Sequence, residues 1–257
     1  ATIQDLVDMA RLADSLENAR RIVEASRRAG RVCAVMQNRR FLPDIARLKA
    51  LAESGRIGRL TGVDADFYLG AHFGGFRDRM EHVLLLDMAI HHFDMARFIS
   101  GADPVSVYCR EWNPAGSWYD HDANAVAIFE MSNGAVFTYR GSWCAEGMNT
   151  SWEADWRVTG ERGTAVWRGD GALRAEAVAQ AGGFRSELTA VEFPPGLPRY
   201  AGGHAGLLAD FVRCLRDGRE PETVCHDNLR SLAMVFGAIR SATERREVAV
   251  SEWLRGR

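Results

Sequence analysis

The sequence is short of several features that would assign it to a common functional class. Lysine occurs once, at Lys49, and 32 basic residues are interspersed with 34 acidic ones, which gives a net charge of −2. A nucleic-acid-binding protein usually carries a basic stripe, so we expect no nucleic-acid partner. The five cysteines form no CxxC pair, which argues against zinc and redox motifs and favours reduced thiols in a cytoplasmic protein.

Long apolar segments are also scarce. The most apolar window, Val83–Ile99, contains five polar or ionisable residues, namely Asp87, His91, His92, Asp94 and Arg97. We therefore expect no transmembrane segment and no membrane partner. Three aspartates within residues 1–15 make the start of the sequence too acidic for a signal peptide.

The glycine pattern of a dinucleotide-binding site is absent as well. No GxGxxG motif occurs, and the nearest pattern, Gly169 with Gly171, lacks a strand–turn–helix context. A pyrophosphate site needs a strand, a glycine turn and a helix N-terminus. We therefore expect this chain alone to bind no NAD or NADP.

The N-terminal part of the sequence alternates between helix and strand patterns. Helical spacing that stops at Gly30 predicts a helix from Ser15 to Ala29, capped by Asp14 with Glu17. The apolar run Val32–Met36 is typical of a buried parallel strand, so the two elements together indicate the end of a Rossmann-type unit. Further predicted elements are a helix at Pro43–Glu53, a strand at Val63–Leu69 and a helix at His82–Ser100.

Beyond Pro104 apolar residues recur at every second position, which indicates strands, and the turn signal Ser132–Gly134 predicts a hairpin. The predicted elements are strands at Val105–Trp112, Ala123–Met131, Ala135–Trp143, Trp152–Val158, Ala165–Arg168, Leu188–Phe193 and Val248–Val250, and helices at His204–Arg216 and His226–Glu244. We therefore predict an α+β fold. A large, mainly antiparallel open sheet carries helices on one face and follows the tail of a truncated Rossmann α/β unit.

The sheet also predicts a second copy of the chain as a partner. Phe137, Tyr139 and Trp143 lie on one face of their predicted strand. An open sheet with an aromatic face is often buried against another subunit. We therefore expect a homodimer or a higher oligomer through this face.

The strongest local signal for chemistry is the predicted helix at His82–Ser100. Asp87 and His91 are four residues apart and Asp94 follows three later, so their side chains share one helix face. A carboxylate beside an imidazole raises the imidazole pKa and gives the general acid/base that a dehydrogenase needs. A hydrogen bond that only fixes helix packing explains the pair equally well.

Metal binding is a third interpretation of the same helix. The possible ligands are Asp87, His91, His92, Asp94 and His82. Adjacent histidines on a helix point about 100° apart, and no HExxH motif occurs. We therefore predict no metal site.

Three segments, in this order and spacing, resemble one enzyme family. They are Gln37–Pro43 (QNRRFLP), Glu53–Gly58 (ESGRIG) and Asp87–Asp94 (DMAIHHFD), and the two C-terminal helices are similar too. The family is that of glucose–fructose oxidoreductase, inositol dehydrogenase and the rhizopine catabolism proteins (Gfo/Idh/MocA), and the resemblance runs from Leu12 to Val250. It implies an N-terminal Rossmann domain that binds NAD or NADP and a C-terminal open sheet that binds substrate and forms oligomers.

The resemblance also implies roles for individual residues. His91 is expected to be the catalytic acid/base, with Asp87 orienting it or gripping a substrate hydroxyl, and Asn38 is expected near the nicotinamide. The expected substrate-binding residues are Arg40, Tyr68, His72, Arg77 and Asp94. Trp143 and Trp152 could stack on a sugar, although a core or interface position explains them better.

The sequence departs from the family in two respects. Without the dinucleotide fingerprint, most of the cofactor domain is missing, so residues 1–37 are predicted to be a Rossmann remnant and residues 38–257 the substrate-binding domain. The family's Glu-Lys-Pro motif corresponds to Met9, Ala10 and Arg11, so its lysine is absent. We expect this chain alone to be inactive.

Three functional hypotheses remain from the sequence. The first is an NAD(P)-dependent oxidoreductase acting on a secondary alcohol of a sugar, cyclitol or polyol, represented here by its substrate domain. The second is a non-catalytic sugar-binding or oligomerisation module. The third is a metal-dependent hydrolase or isomerase that uses the histidine and aspartate residues of the helix.

Overall fold

The structure is a computed structural model that describes residues 12–195 and 202–254. The strands are β1 (Leu60–Tyr68), β2 (Pro104–Trp112), β3 (Asn124–Met131), β4 (Val136–Ser142), β5 (Asp155–Gly160), β6 (Gly163–Trp167), β7 (Arg174–Gln180), β8 (Glu187–Ala190) and β9 (Val248–Ala249). The α-helices are α1 (Leu16–Ala29), α2 (Pro43–Glu53), α3 (Ile90–Ser100), α4 (His204–Asp217), α5 (Cys225–Glu244) and α6 (Ser251–Leu254).

The strands of the described residues form one nine-stranded open sheet in the order β8-β7-β6-β5-β1-β4-β3-β2-β9. Its paired strands are antiparallel except β1 and β4, which run parallel at the centre of the sheet. The parallel pair arises because the chain passes through α3 and two hairpins before it returns beside β1. The predicted α+β fold with a large, mainly antiparallel open sheet is confirmed, although the sequence analysis missed β7.

The first described segment begins with α1, whose start differs from the prediction. Ser15, not Asp14, caps the helix, because the Ser15 hydroxyl accepts from the Asn18 backbone N–H at 3.2 Å. Asp14 accepts instead from the side-chain amide of Asn18. Gly30 ends the helix in the left-handed conformation, as its position predicts.

The strand predicted at Val32–Met36 is wrong in this structure. Within it, only Ala34 forms a β-bridge, and the partner is Val224 in an antiparallel arrangement. An apolar run without a neighbouring parallel strand in the described residues has no ladder to join. The segment instead leads directly into a short 3-10 helix at Asn38–Phe41.

Helices cover one face of the sheet and bury its aromatic residues. Phe137 and Tyr139 are fully buried and contact Phe93 of α3 in edge-to-face geometry. The prediction that Phe137, Tyr139 and Trp143 face a second subunit is therefore wrong. Their face is the one that packs against the chain's own helices.

The opposite face of the sheet is polar with scattered apolar residues. Arg140 of β4 forms an ion pair with Asp66 of β1, with Nε 2.7 Å from Oδ1. Tyr108 and Ile128 are 48% and 46% exposed on neighbouring strands. None of the described helices is long and apolar enough to cross a lipid bilayer.

The helix predicted at His82–Ser100 begins later and contains a change of pitch. Residues Leu84–Ala89 are π-helical and continue into α3. His82 has a left-handed backbone (φ 52°) and lies outside the helix. A π-helical turn holds more than 3.6 residues, so Asp87 and His91 do not keep the shared face that ordinary α-helical spacing would give them.

Candidate active site

A cleft lies where the 3-10 helix, the start of α3, the loop before β5 and the start of α4 meet. Its volume is about 730 Å³. The lining residues are Met36, Asn38, Arg39, Leu42, Pro43, His91, Trp152, Glu153, Gly202, Gly203 and His204. Two of the predicted site residues, His91 and Asn38, are among them.

His91 sits at the base of this cleft and is only 8% exposed. Its Nδ1 lies 3.1 Å from the amide oxygen of Gln37, which accepts the Nδ1 proton and leaves the lone pair on Nε2. Burial, followed by the positive charge of Arg39 and by the neighbouring imidazoles of His92 and His204, holds the pKa of His91 well below its usual range. The sequence-based expectation of a carboxylate that raises this pKa is therefore wrong.

Asp87 has a different partner from the predicted one. Its Oδ2 accepts from Nε of Arg77 at 3.1 Å, and the carboxylate is 8% exposed. The Arg77 guanidinium also lies over the ring of Phe73, 4.8 Å from its centroid. Asp87 and Arg77 thus meet, but in a second group of side chains beside the cleft.

Arg39 and Glu153 form a charged pair in the wall of the cleft. Nε of Arg39 donates to Oε2 of Glu153 at 2.7 Å, and the two side chains are 13% and 25% exposed. Nη2 of Arg39 also approaches the carbonyl of Trp152 at 3.5 Å. A fixed, partly buried ion pair next to a buried imidazole can position hydroxyl groups of a polar ligand.

Trp152 brings an aromatic surface to the cleft. Its side chain is 46% exposed and its ring centroid lies 5.6 Å from that of Trp143. Phe73 packs on the same two rings, at 6.3 Å from Trp152 and 5.2 Å from Trp143. Trp143 is buried, so only Trp152 presents a face on which a sugar ring could stack.

Arg40 and Asp94, two predicted substrate residues, belong to a buried ion-pair network instead. Arg40 donates to both carboxylate oxygens of Asp94 at 2.7 Å, and Asp94 also accepts from Ser231 at 2.6 Å. Nη2 of Arg40 reaches Asp227 of α5 at 3.0 Å. Arg40 and Asp94 are 5% and 1% exposed, so the network joins the 3-10 helix, α3 and α5 and is closed to a substrate.

Tyr68 and His72 also lie apart from His91. Tyr68 ends β1 on the same face as Asp66, which is the face away from the helices. His72 is largely exposed, contacts Glu146 at 2.8 Å and stacks on Trp118 with centroids 3.7 Å apart. Neither lines the cleft, and their role in substrate binding stays a prediction.

The sequence analysis missed several residues of the cleft. Gln37 and Arg39 flank the predicted Asn38. Their polar side chains next to a predicted ligand residue were the sequence signal that could have identified them. Glu153 and His204 come from distant segments, and only the fold brings them to His91. Nδ2 of Asn38 lies 3.3 Å from Nδ1 of His204, which connects the two sides of the cleft.

The cleft can accommodate the nicotinamide end of a dinucleotide but not all of it. Met36, Leu42 and Pro43 give an apolar wall, while the Asn38 amide and the His204 ring offer polar partners for a carboxamide. Residues 12–195 and 202–254 provide no strand–glycine turn–helix unit for the phosphates. In the same residues, no three His, Cys, Asp or Glu side chains come together as metal ligands.

Comparisons with known proteins identify relatives of this chain. Residues 45–166 match the family model described as the GFO/IDH/MocA C-terminal domain. An uncharacterized protein, y4oX of Sinorhizobium fredii, is 34% identical, covering 95% of this chain and 69% of its own length. Inositol 2-dehydrogenase of Rhizobium meliloti is 26% identical, covering 83% of this chain and 64% of its own length.

A solved structure gives the same fold. An oxidoreductase from Agrobacterium radiobacter, crystallised with NAD⁺, L-tartaric acid and magnesium, is 25% identical with a TM-score of 0.80. The match covers 98% of this chain and 79% of that one. The segment corresponding to the Glu-Lys-Pro motif, residues 9–11, lies outside the described residues. On sequence and fold together, the chain belongs to the Gfo/Idh/MocA family of oxidoreductases.

Proposed function

We propose that this chain forms the substrate side of an NAD(P)-dependent oxidoreductase that acts on a secondary alcohol of a sugar, cyclitol or polyol. The observation that carries the proposal is His91. It is a buried, neutral imidazole whose Nδ1 is held by Gln37 and whose ring borders a cleft with an aromatic wall. Relatives named as inositol dehydrogenases and as a D-apiose dehydrogenase support the substrate class.

His91 acts as the proton acceptor in this proposal. His91 donates its Nδ1 proton to the amide oxygen of Gln37. Its Nε2 is therefore free to accept the hydroxyl proton of the substrate as the C–H bond breaks. Asn38 and His204 would hold a nicotinamide in the cleft, and that group would supply the hydride acceptor. The low pKa of His91 keeps the imidazole neutral before the reaction and makes the imidazolium a strong acid for the reverse direction.

Neighbouring residues bind and orient the substrate. Trp152 packs on the carbon skeleton of the sugar, and the Arg39–Glu153 pair offers one donor and one acceptor to its hydroxyls. Asn38 and His204 face the nicotinamide carboxamide. Asp87 has a supporting role, because it fixes Arg77 and hence Phe73 behind the rings of Trp143 and Trp152.

We also propose a division of the chain, a surface for self-association and a cellular location. We assign residues 38–257 to the substrate side and residues 1–37 to the cofactor side. We propose that copies of the chain associate through the polar face of the sheet that carries Tyr108 and Ile128, not through the buried aromatic face. A cytoplasmic location is supported by the five cysteines, which are free thiols in the structure.

The test is a calorimetric titration of the purified 257-residue chain with a panel of sugars, cyclitols and linear polyols, each with and without NADH or NADPH. We expect binding of at least one class, weakened about tenfold or more in Trp152→Ala and His91→Ala. Phe184→Ser, a change at a side chain that is 99% exposed, should leave binding unchanged. Binding that survives both cleft substitutions would rule out this cleft as the substrate site.

Turnover is measured on the same samples by the absorbance of reduced nicotinamide. We expect none from this chain alone, because it supplies no phosphate cradle in the described residues. Turnover that disappears in His91→Ala would contradict that expectation while supporting the role of His91. If the chain binds polyols and neither NADH nor NADPH changes that binding, the result would favour the second candidate, a sugar-binding module.

A further inference from the structure

Two cysteines lie opposite each other where the segment after α1 meets the start of α5. Ala34 and Val224 form an antiparallel bridge, which makes Cys33 and Cys225 directly opposed residues. The Cys225 N–H donates to the Cys33 carbonyl at 2.8 Å, and the Val35 N–H donates to the Thr223 carbonyl at 2.9 Å. Directly opposed residues of an antiparallel pair have Cα atoms about 4.5 to 5.5 Å apart, within the range that a disulfide spans.

The two thiols lie in the same surroundings, in addition to flanking the same β-bridge. Cys33 packs against the small buried cluster that contains Cys225, and both residues line a cavity of about 410 Å³. Arg27 and Arg31 line the same cavity. Burial, followed by the neighbouring Cys225, raises the pKa of Cys33 to about 11, so Cys33 stays a thiol at neutral pH.

Cys225 is the better placed nucleophile. It is the first residue of the 20-residue helix α5, where the helix dipole favours negative charge. It is 2% exposed, so its contact with a reagent depends on the cavity. Hydrogen peroxide is small enough to enter a space of that size.

We propose that Cys33 and Cys225 are a redox-active dithiol that hydrogen peroxide closes to a disulfide. The Cys225 sulfur attacks one peroxide oxygen, the O–O bond breaks, and the departing hydroxide takes the thiol proton to form water. The Cys33 sulfur then displaces the hydroxyl of the Cys225 sulfenic acid, which leaves as a second water. Two thiols lose two electrons and two protons, and one peroxide is reduced to two waters.

A disulfide between Cys33 and Cys225 would restrain the segment that leads into the cleft. Cys33 is four residues before Gln37, the partner of His91, and Cys225 is two residues before Asp227, a member of the buried ion-pair network. A disulfide between positions so far apart in sequence constrains the unfolded chain strongly. The oxidised protein should therefore unfold at a higher temperature than the reduced protein, with the difference reversed by a dithiol reductant.

The test is peroxide treatment of the purified chain, followed by alkylation in denaturant, trypsin digestion without reduction, and mass spectrometry. We expect one cross-linked pair, residues 32–39 joined to residues 220–230, and the loss of two of the five alkylatable thiols. The cross-link should form unchanged in Cys144→Ser. In Cys33→Ser and Cys225→Ser it should be absent, and neither variant should show the rise in unfolding temperature on oxidation.

Each variant is first shown by circular dichroism to be folded before oxidation. Two outcomes would then overturn the proposal. One is stepwise oxygen addition to Cys33 or Cys225 with no cross-linked peptide. Another is a cross-link that involves Cys109, Cys144 or Cys214 at the same rate, since unfolding and random pairing would then explain the reaction. Because the readout is covalent, it is independent of whether the cleft binds a polyol.

Discussion

Acid should destabilise the fold through His92, the neighbour of the proposed catalytic histidine. His92 is fully buried beneath Trp152, where Nε2 donates to the Trp152 carbonyl at 3.3 Å and Nδ1 accepts from the Tyr139 hydroxyl at 3.4 Å. Burial, followed by Arg39, lowers its pKa to about 3. The folded state therefore keeps this imidazole neutral at pH values where the unfolded chain is protonated.

The sign and size follow from proton linkage. A histidine whose pKa is lowered by folding contributes full stability above its unfolded pKa, about 6.5, and loses it as the pH falls towards the folded value. Between pH 7 and pH 5 the unfolded state gains most of a proton at His92 and the folded state gains almost none. The free energy of unfolding should therefore fall by about 2 kcal/mol over this interval from His92 alone.

The assay is urea unfolding, followed by far-ultraviolet circular dichroism, at pH 7 and pH 5 for the wild type and for His92→Gln. The difference between the two pH values should be about 2 kcal/mol smaller in the variant. His72→Gln, at an exposed histidine, should retain the wild-type difference. Equal pH dependence in wild type and His92→Gln, or an NMR titration of His92 between pH 7 and pH 5, would refute the reasoning.

Three further predictions concern the scaffold, each measured by urea unfolding at pH 7. Asp94→Asn should cost about 3 kcal/mol or more because it leaves the buried Arg40 charge without its bidentate partner, and a loss below 1 kcal/mol would contradict this. Gly160→Ala should cost about 2 kcal/mol, since its Cβ would clash with the Ile57 carbonyl oxygen, whereas Gly171→Ala should be nearly neutral. Ser15→Ala should cost about 1 kcal/mol through loss of the α1 cap.

Local signals in the sequence predicted much of the fold. Pro43 at the first helical position and the hairpin signal at Asn133–Gly134 each act within a few residues, and α2 and the β3–β4 hairpin lie where they indicate. Strand ends were predicted to within a few residues for most of the sheet. The strand at Val32–Met36 was wrong because an apolar run does not specify which neighbour, if any, will pair with it.

The site was less predictable because its contacts join residues that are distant in the sequence. His91 and Asn38 both line the cleft. Asp87 was paired with His91 on the assumption of α-helical pitch, and the π-helical turn redirects it to Arg77. Arg40 was expected near the substrate because its segment, Gln37–Pro43, resembles that of the family. Its burial depends on Asp94 and Asp227, which come from two other helices and meet it only in the folded chain.

The central claim is that His91 is a neutral imidazole, with its proton on Nδ1, at the substrate cleft. The most direct measurement is the ¹⁵N NMR spectrum of histidine-labelled chain, with and without a polyol found to bind by calorimetry. We predict a neutral ring at pH 7 with the proton on Nδ1, and a shift of Nε2 on adding the polyol that exceeds any shift at His72. A protonated ring at pH 7, or a polyol that leaves the His91 resonances unmoved, would contradict the account.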